Sequence, residues 1–194
     1  MTDGRSDAAI LAAYGVVRIY RGPSAVTAVR GVSLALHPGE FVALMGPSGS
    51  GKTTLLGILA GLDRPDAGEV TWEGRPLHGL RDREHLDLRR RGIGVVFQGF
   101  GLLPTLSALE NVELPLRVAG VDPDHARARA EAWLERLGLG DRLHDRTFEL
   151  SAGQQQRVAV ARALAPEPRV VLADEPIAEV DTENAELILD GLWE

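Results

Sequence analysis

The sequence contains no cysteine, which excludes disulfides and thiolate metal sites and fits an intracellular setting. No apolar run approaches the roughly 20 residues that a bilayer-spanning helix needs. The opening "MTDGRSDAAI" lacks the charged-then-apolar pattern of a secretory signal, so any membrane role is expected to go through a partner and not through direct insertion. Internal repeats, long linkers and low-complexity tracts are absent as well. Basic charge is scarce: 21 Lys+Arg face 28 Asp+Glu, a net charge of −7 that argues against a nucleic-acid partner. The one basic run, Arg89-Arg90-Arg91, reads as a solvated helix end. Lysine is scarcer still, because Lys52 is the only one in the chain.

What is present suits one globular domain: 194 residues, 44% hydrophobic and 25% charged, enough to bury a core. Strand-like stretches come first. "GVVRIY" is followed by "VTAVRGVSLAL", in which Val32, Leu34 and Leu36 alternate as they would with one face buried. "EFVALM" reads as a continuous apolar strand running into a glycine loop and then "KTTLLGILAGL", a helix ended by Gly61. "GEVTWEG" is a short strand after the turn Pro65-Asp66-Ala67-Gly68, and "GIGVVFQ" is another buried strand. The middle of the chain turns helical. Ser107 and Glu110 form a capping box ahead of "ALENVELPL", and Asp122-Pro123 starts "DHARARAEAWLERLGL". "RVVLADEP" returns to a buried strand of the parallel type, and the tail from Thr182 places Ala185, Ile188, Leu189, Leu192 and Trp193 on one helical face.

The glycine loop carries the first chemistry. "GPSGSGKT", from Gly46 through Pro47, Ser48, Gly49, Ser50, Gly51 and Lys52 to Thr53, with Thr54 following, fits the spacing G-x-x-x-x-G-K-[ST] between a strand and a helix. Glycines let the backbone wrap phosphate oxygens, and a helix N-terminus adds aligned N–H groups. Lys52 would hold the β and γ phosphates, where a compact ammonium fits and a planar guanidinium does not. The plain alternative is a Gly-Ser turn before an amphipathic helix. A nucleotide loop alone does not choose between a kinase, a GTPase and an ATP-driven motor; the acids do. Asp174 stands at the tip of an apolar strand, suited to hold Mg2+ with the Thr53 hydroxyl as a further ligand. Glu175 is the candidate to orient or deprotonate an attacking water, unless the pair is simply two acids closing a strand.

"LSAGQQQR", Leu150 to Arg157, completes the pattern. With it, "FVALMGPSGSGKTTLL", "GVVFQGFGLLPTLSALENVELPL" and "QQQRVAVARALAPEPRVVLADEP" resemble the ATP-binding subunits of ABC transporters over essentially the whole chain, most of all the lipoprotein-release and macrolide-export subgroup. The resemblance implies an α/β fold, a P-loop NTPase with a RecA-like parallel-sheet core, an N-terminal antiparallel β subdomain and a helical subdomain at about 100–165. It implies ATP and Mg2+ as cofactors and ATP hydrolysis as the activity. Its partners would be a second ATPase subunit in a homodimer and separate transmembrane permease subunits, at the cytoplasmic face of the inner membrane. By matching position, Tyr20 would stack on adenine, although an aromatic at a strand end can equally be packing. Gln98 would touch Mg2+ and the attacking water, and Asp181 would communicate across the dimer. Ser151, Gly153 and Gln154 would reach the γ-phosphate of the opposite subunit, and Ser151 is independently a good helix N-cap. Phe100, Leu102, Leu103 and Pro104 form either a permease-docking surface or a local core.

The chain departs from the family pattern at Ala152, where glycine is usual, at Ile177 in place of threonine, and at Glu179-Val180 in place of Asn-Leu. The family also has a histidine beyond the acidic strand, whereas the last histidine here is His144. The resemblance also implies a further strand, just after Glu194, inserted between "EFVALM" and "RVVLAD", so the expectation is a C-terminally incomplete domain, inactive alone, with these two separated by about two strand spacings of ~4.8 Å. Buried unpaired amides at ~1–3 kcal/mol each would then rival a domain stability of ~5–15 kcal/mol. Two alternatives stay open at this point: a nucleotide-binding remnant without hydrolysis, and an ABC-type ATPase that serves a process other than transport.

Overall fold

Strands supply most of the first part of the chain and helices most of the second, in a computed structural model that describes residues 9–177, 180 and 182–193. The chain divides into two units, one running to Leu86 and the other starting at Asp87.

In the first unit, β1 (Leu11–Tyr20) pairs antiparallel with β2 (Val26–Leu36) and with β3 (Ala67–Trp72), and β4 (Arg75–Pro76) extends the sheet to the order β2-β1-β3-β4. Leu11, Ala12, Ala13 and Val16 of β1 are buried with Val29 and Val70 from the neighbouring strands. In β2, Val32, Leu34 and Leu36 are half-buried while Ser33 and Ala35 are exposed, the alternation read from the sequence. Helix α1 (Lys52–Leu59) adds Leu55, Ile58 and Leu59 to this core, and Gly61, with φ 68°, follows its end. A forked ion pair joins the end of β1 to the loop after α1: Arg18 donates through Nε and Nη2 to the two oxygens of Asp63, each at 2.9 Å. Asp66 accepts the Ile19 N–H at 2.8 Å, and this bond is the chief cause that holds its carboxyl below the usual range.

In the second unit, β5 (Ile93–Val96) and β6 (Val170–Ala173) form a parallel pair in register from Ile93↔Val170 to Val96↔Ala173. Three helices, α3 (Ala108–Val118), α4 (Pro123–Arg136) and α5 (Ala152–Leu164), pack around Leu116, Leu134 and Val158, and Ile188 of α6 (Thr182–Trp193) joins the same core. The helix starts are those the sequence announces. Ser107 and Glu110 form a reciprocal capping box, and Asp122 caps α4 with Pro123 at its first position.

Two expectations need correction. "EFVALM" does not form a strand: residues 41–47 enter neither sheet, and Phe41 and Met45 are 57% and 91% exposed. An apolar stretch becomes a central strand only when a ladder flanks it on both sides, and β2-β1-β3-β4 is built without it. The strand "GIGVVFQ" ends at Val96, which leaves Gln98 in a loop. The short helix α2 (Asp82–Asp87) and the π-helical turn Leu88–Gly92 were not legible. Helix α2 buries none of its residues and so carries no amphipathic signal. Arg89 and Arg91 of the basic run are exposed as expected, and Arg91 donates to the Ala119 carbonyl at 2.6 Å.

Candidate nucleotide site

Residues 46–50 are exposed, and the loop they form turns through two left-handed glycines, Gly49 at φ 76° and Gly51 at φ 93°. Gly51 is the N-cap of α1, and it makes no side-chain cap. A Cβ added there would lie 2.1 Å from the Ala28 carbonyl oxygen of β2, so only glycine lets the loop pass this close to the sheet. The Lys52 ammonium folds back over the loop and donates to the carbonyls of Gly46 at 2.9 Å and Pro47 at 3.1 Å. Thr53 is exposed on the first turn of α1. Tyr20, at the end of β1, reaches Thr54 Oγ1 and Asp63 Oδ2 through its hydroxyl, each at 3.4 Å, while the Arg18 guanidinium lies 5.0 Å from its ring centroid. The structure thus brings Tyr20 to the helix that opens the glycine loop.

In the second unit, the two acids part company. Asp174 N–H continues the ladder to the Val96 carbonyl at 2.9 Å, and Asp174 is only 8% exposed. At Glu175 the backbone becomes left-handed, φ 50°, and this residue is exposed. A left-handed non-glycine residue costs of order 1–2 kcal/mol and breaks the strand's alternation. Glu175 thereby meets Gln98 from the loop after β5: Gln98 Nε2 donates to Glu175 Oε2 at 2.9 Å across 77 residues of sequence. The Asp174 carboxylate has no ion pair or hydrogen bond among the described residues.

The signature residues open α5. Gln154 N–H donates to Ser151 Oγ at 3.3 Å, and Ser151 N–H donates to Gln154 Oε1 at 2.8 Å, a complete capping box with Ala152 and Gly153 between them. Two residues further on the same helix also bear on the site and carried no motif signal. Gln156 donates to the Pro176 carbonyl at 2.9 Å, and Arg162 donates to the carbonyls of Phe100 and Gly101. Of the loop residues expected either to dock a partner or to form a core, Leu102 packs against the helical core, whereas Leu103 and Pro104 are exposed. Asp181 lies outside the described residues.

A phosphate loop opening a helix, an acid pair ending a parallel strand and a serine-capped signature helix define the class of P-loop nucleotide-binding proteins. The ABC transporter family matches residues 29–178, and the chain belongs to that family. It is 47% identical over 180 residues to the lipoprotein-releasing system ATP-binding protein LolD of Saccharophagus degradans, covering 92% of this chain and 79% of that protein. It is 49% identical over 175 residues to the macrolide export ATP-binding/permease protein MacB of Syntrophobacter fumaroxidans, covering 89% of this chain and 24% of that protein. Among solved structures, it is similar to the dimeric post-hydrolysis state of the ATP-binding cassette MJ0796 bound to ADP and Pi. There the TM-score is 0.88 at 42% identity, over 94% of this chain and 81% of that one. The fold and the subgroup are therefore those the sequence implies.

Proposed function

We propose that this ATP-binding member of the ABC family hydrolyses ATP to drive separate membrane permease subunits, working as a pair of identical chains. The observation that carries the hydrolytic reading is the 2.9 Å bond from Gln98 to Glu175, which joins the candidate water-contacting amide to the candidate base. The glycine loop Gly46–Thr54 binds the phosphates, with Lys52 on the β and γ groups, and Tyr20 offers its ring to adenine. Glu175 takes the proton of a water whose oxygen attacks the γ-phosphorus, while the bond to the β–γ bridging oxygen breaks and ADP leaves with that electron pair.

Mg2+ fits the oxygen donors present, since the shielded Asp174 carboxylate lacks a protein partner among the described residues. Asp174 and Gln98 would hold it, and Thr53 is the hydroxyl ligand that the resemblance to the family implies. When bound, it supplies neutralisation of phosphate charge. Ser151, Gly153 and Gln154 serve the nucleotide of the partner subunit, and Asp181 belongs to communication across the pair. The exposed Leu103 and Pro104 face a permease. No helix among the described residues is long and apolar enough to cross a membrane. Attachment at the cytoplasmic side of the inner membrane would run through that permease. The 194 residues act as one nucleotide-binding domain whose helical subdomain spans about 100–165.

Glu175→Gln, made in the full chain within its ATP-hydrolysing complex, tests the reading. ATP affinity should persist, hydrolysis should fall by about 10²–10⁴-fold, and an ATP-bound dimer should accumulate on size-exclusion chromatography. Hydrolysis at the wild-type rate would refute the role of Glu175.

A further inference from the structure

The loop that carries Gln98 is held in an unfavourable shape. Phe100 N–H donates to the Phe97 carbonyl at 3.1 Å, and Phe100 and Gly101 are both left-handed, with φ of 57° and 60°. A glycine takes this region freely, but a bulky aromatic persists there only where the surroundings hold it. Arg162 on α5 grips the turn. Its half-buried guanidinium donates through Nη2 to the Phe100 carbonyl at 2.8 Å and through Nη1 to the Gly101 carbonyl. Burial lowers its pKa from the usual arginine value, yet a guanidinium stays charged. Among the described residues Arg162 is in no ion pair, so its charge is directed at these two carbonyls. The same helix holds the loop of the acid as well, through Gln156 on the Pro176 carbonyl, one residue past Glu175.

We infer that Arg162 is a positioning residue for hydrolysis: its fork on the Phe100 and Gly101 carbonyls locks the turn that presents the Gln98 amide to the Glu175 carboxylate. The inference rests on the hydrolytic reading of Gln98 and Glu175. Without the fork, Phe100 relaxes out of the left-handed region and the Gln98 amide loses its fixed direction. A misplacement of about 1 Å in a reacting group costs on the order of 10²-fold in rate. Nucleotide affinity, which comes from the glycine loop, is left intact.

The test uses the full chain in its ATP-hydrolysing complex, with Arg162→Met and Gln98→Ala made singly and together. Arg162→Met should lower kcat by about 10- to 100-fold with little change in the KM for ATP, and should lower it no further in the Gln98→Ala background. An unchanged kcat, or the same fractional loss in both backgrounds, would overturn the inference while leaving the role of Gln98 standing. A Gln98→Ala protein with wild-type kcat would instead overturn the hydrolytic reading, and the inference with it. Arg162→Lys, which keeps the charge but not the fork, should fall between wild type and Arg162→Met. If Arg162→Met does not fold, Gly101→Ala strains the same turn with Arg162 in place. Its Cβ would lie 3.3 Å from the Phe97 ring and 3.4 Å from Arg162 Nη2, so it should show the same selective loss of kcat. A Gly101→Ala protein with full kcat would overturn the proposal.

Discussion

The two helices that open on candidate phosphate contacts begin in opposite ways. At α1 the N-cap is a left-handed glycine with no side-chain cap, and the cationic Lys52 folds over the loop. At α5 the first turn is closed on itself by Ser151 and Gln154. A helix N-terminus has four N–H groups in want of acceptors. Helix α1 leaves them for a ligand and adds positive charge, whereas α5 satisfies one of them internally and stands as a stable helix before any ligand arrives. Under the proposed function, the first unit would supply the primary phosphate site and the second a preformed surface for the nucleotide of a partner chain.

Gly51→Ala should break the comparison at its most constrained point. With φ at 93° and the Ala28 oxygen 2.1 Å from the new Cβ, the loop cannot keep its path, and a loss of about 2–4 kcal/mol in urea unfolding is expected. A protein of unchanged stability would mean that the loop's close approach to β2 is not required. Lys52→Ala should leave the fold intact, because the two bonds it loses lie on exposed loop carbonyls. ATP affinity, followed by fluorescence, should drop by about 100-fold or more, as for the loss of two charge-assisted hydrogen bonds. Undiminished affinity would remove α1 from the role of primary site. On the other side, Ser151→Ala should cost α5 about 1 kcal/mol, seen as a lower urea midpoint, an effect with no counterpart at the side-chain-free cap of α1.

The smallest effect separates two capped helices. The capping box of α3 uses Glu110 where that of α5 uses Gln154. The Ser107 backbone N–H, foremost, holds the Glu110 carboxyl below the ordinary glutamate range. Its stabilisation is therefore complete above the unfolded pKa of about 4.3 and is lost as pH falls through the lower folded value. Glu110→Gln should lower the urea midpoint slightly at pH 7 and not at all in strong acid. A gap independent of pH would show that the charge of Glu110 does not strengthen its cap.

The candidate site was legible wherever one short segment contains its own physics. The serine opening α5 and the Ser107 and Asp122 caps each depend on residues a few positions apart and form as read, and the glycine turn from Gly46 to Thr53 opens α1 without the strand expected before it. Glu175 follows from its place after an apolar strand and Gln98 from the resemblance, but their bond spans 77 positions and no local pattern encodes it. Arg162 escaped notice because, inside "VAVARAL", an arginine on a helix reads as a solvated charge. Only the fold turns it toward the carbonyls of a distant loop.

By itself, then, the sequence determined the glycine turn ahead of α1, the capped starts of α3, α4 and α5 and the alternation of β2, because steric, capping and periodicity rules act within a few residues. Tertiary structure alone decided which strands pair. "EFVALM", residues 40–45, has the composition of a central strand and yet lies outside both sheets, since strand formation requires hydrogen-bonding neighbours that composition does not supply. Tertiary structure also decided that Asp174 is shielded while Glu175 is exposed and bonded to Gln98. That outcome depends on a left-handed turn and on two loops held by one helix, which are interactions between segments far apart in the chain.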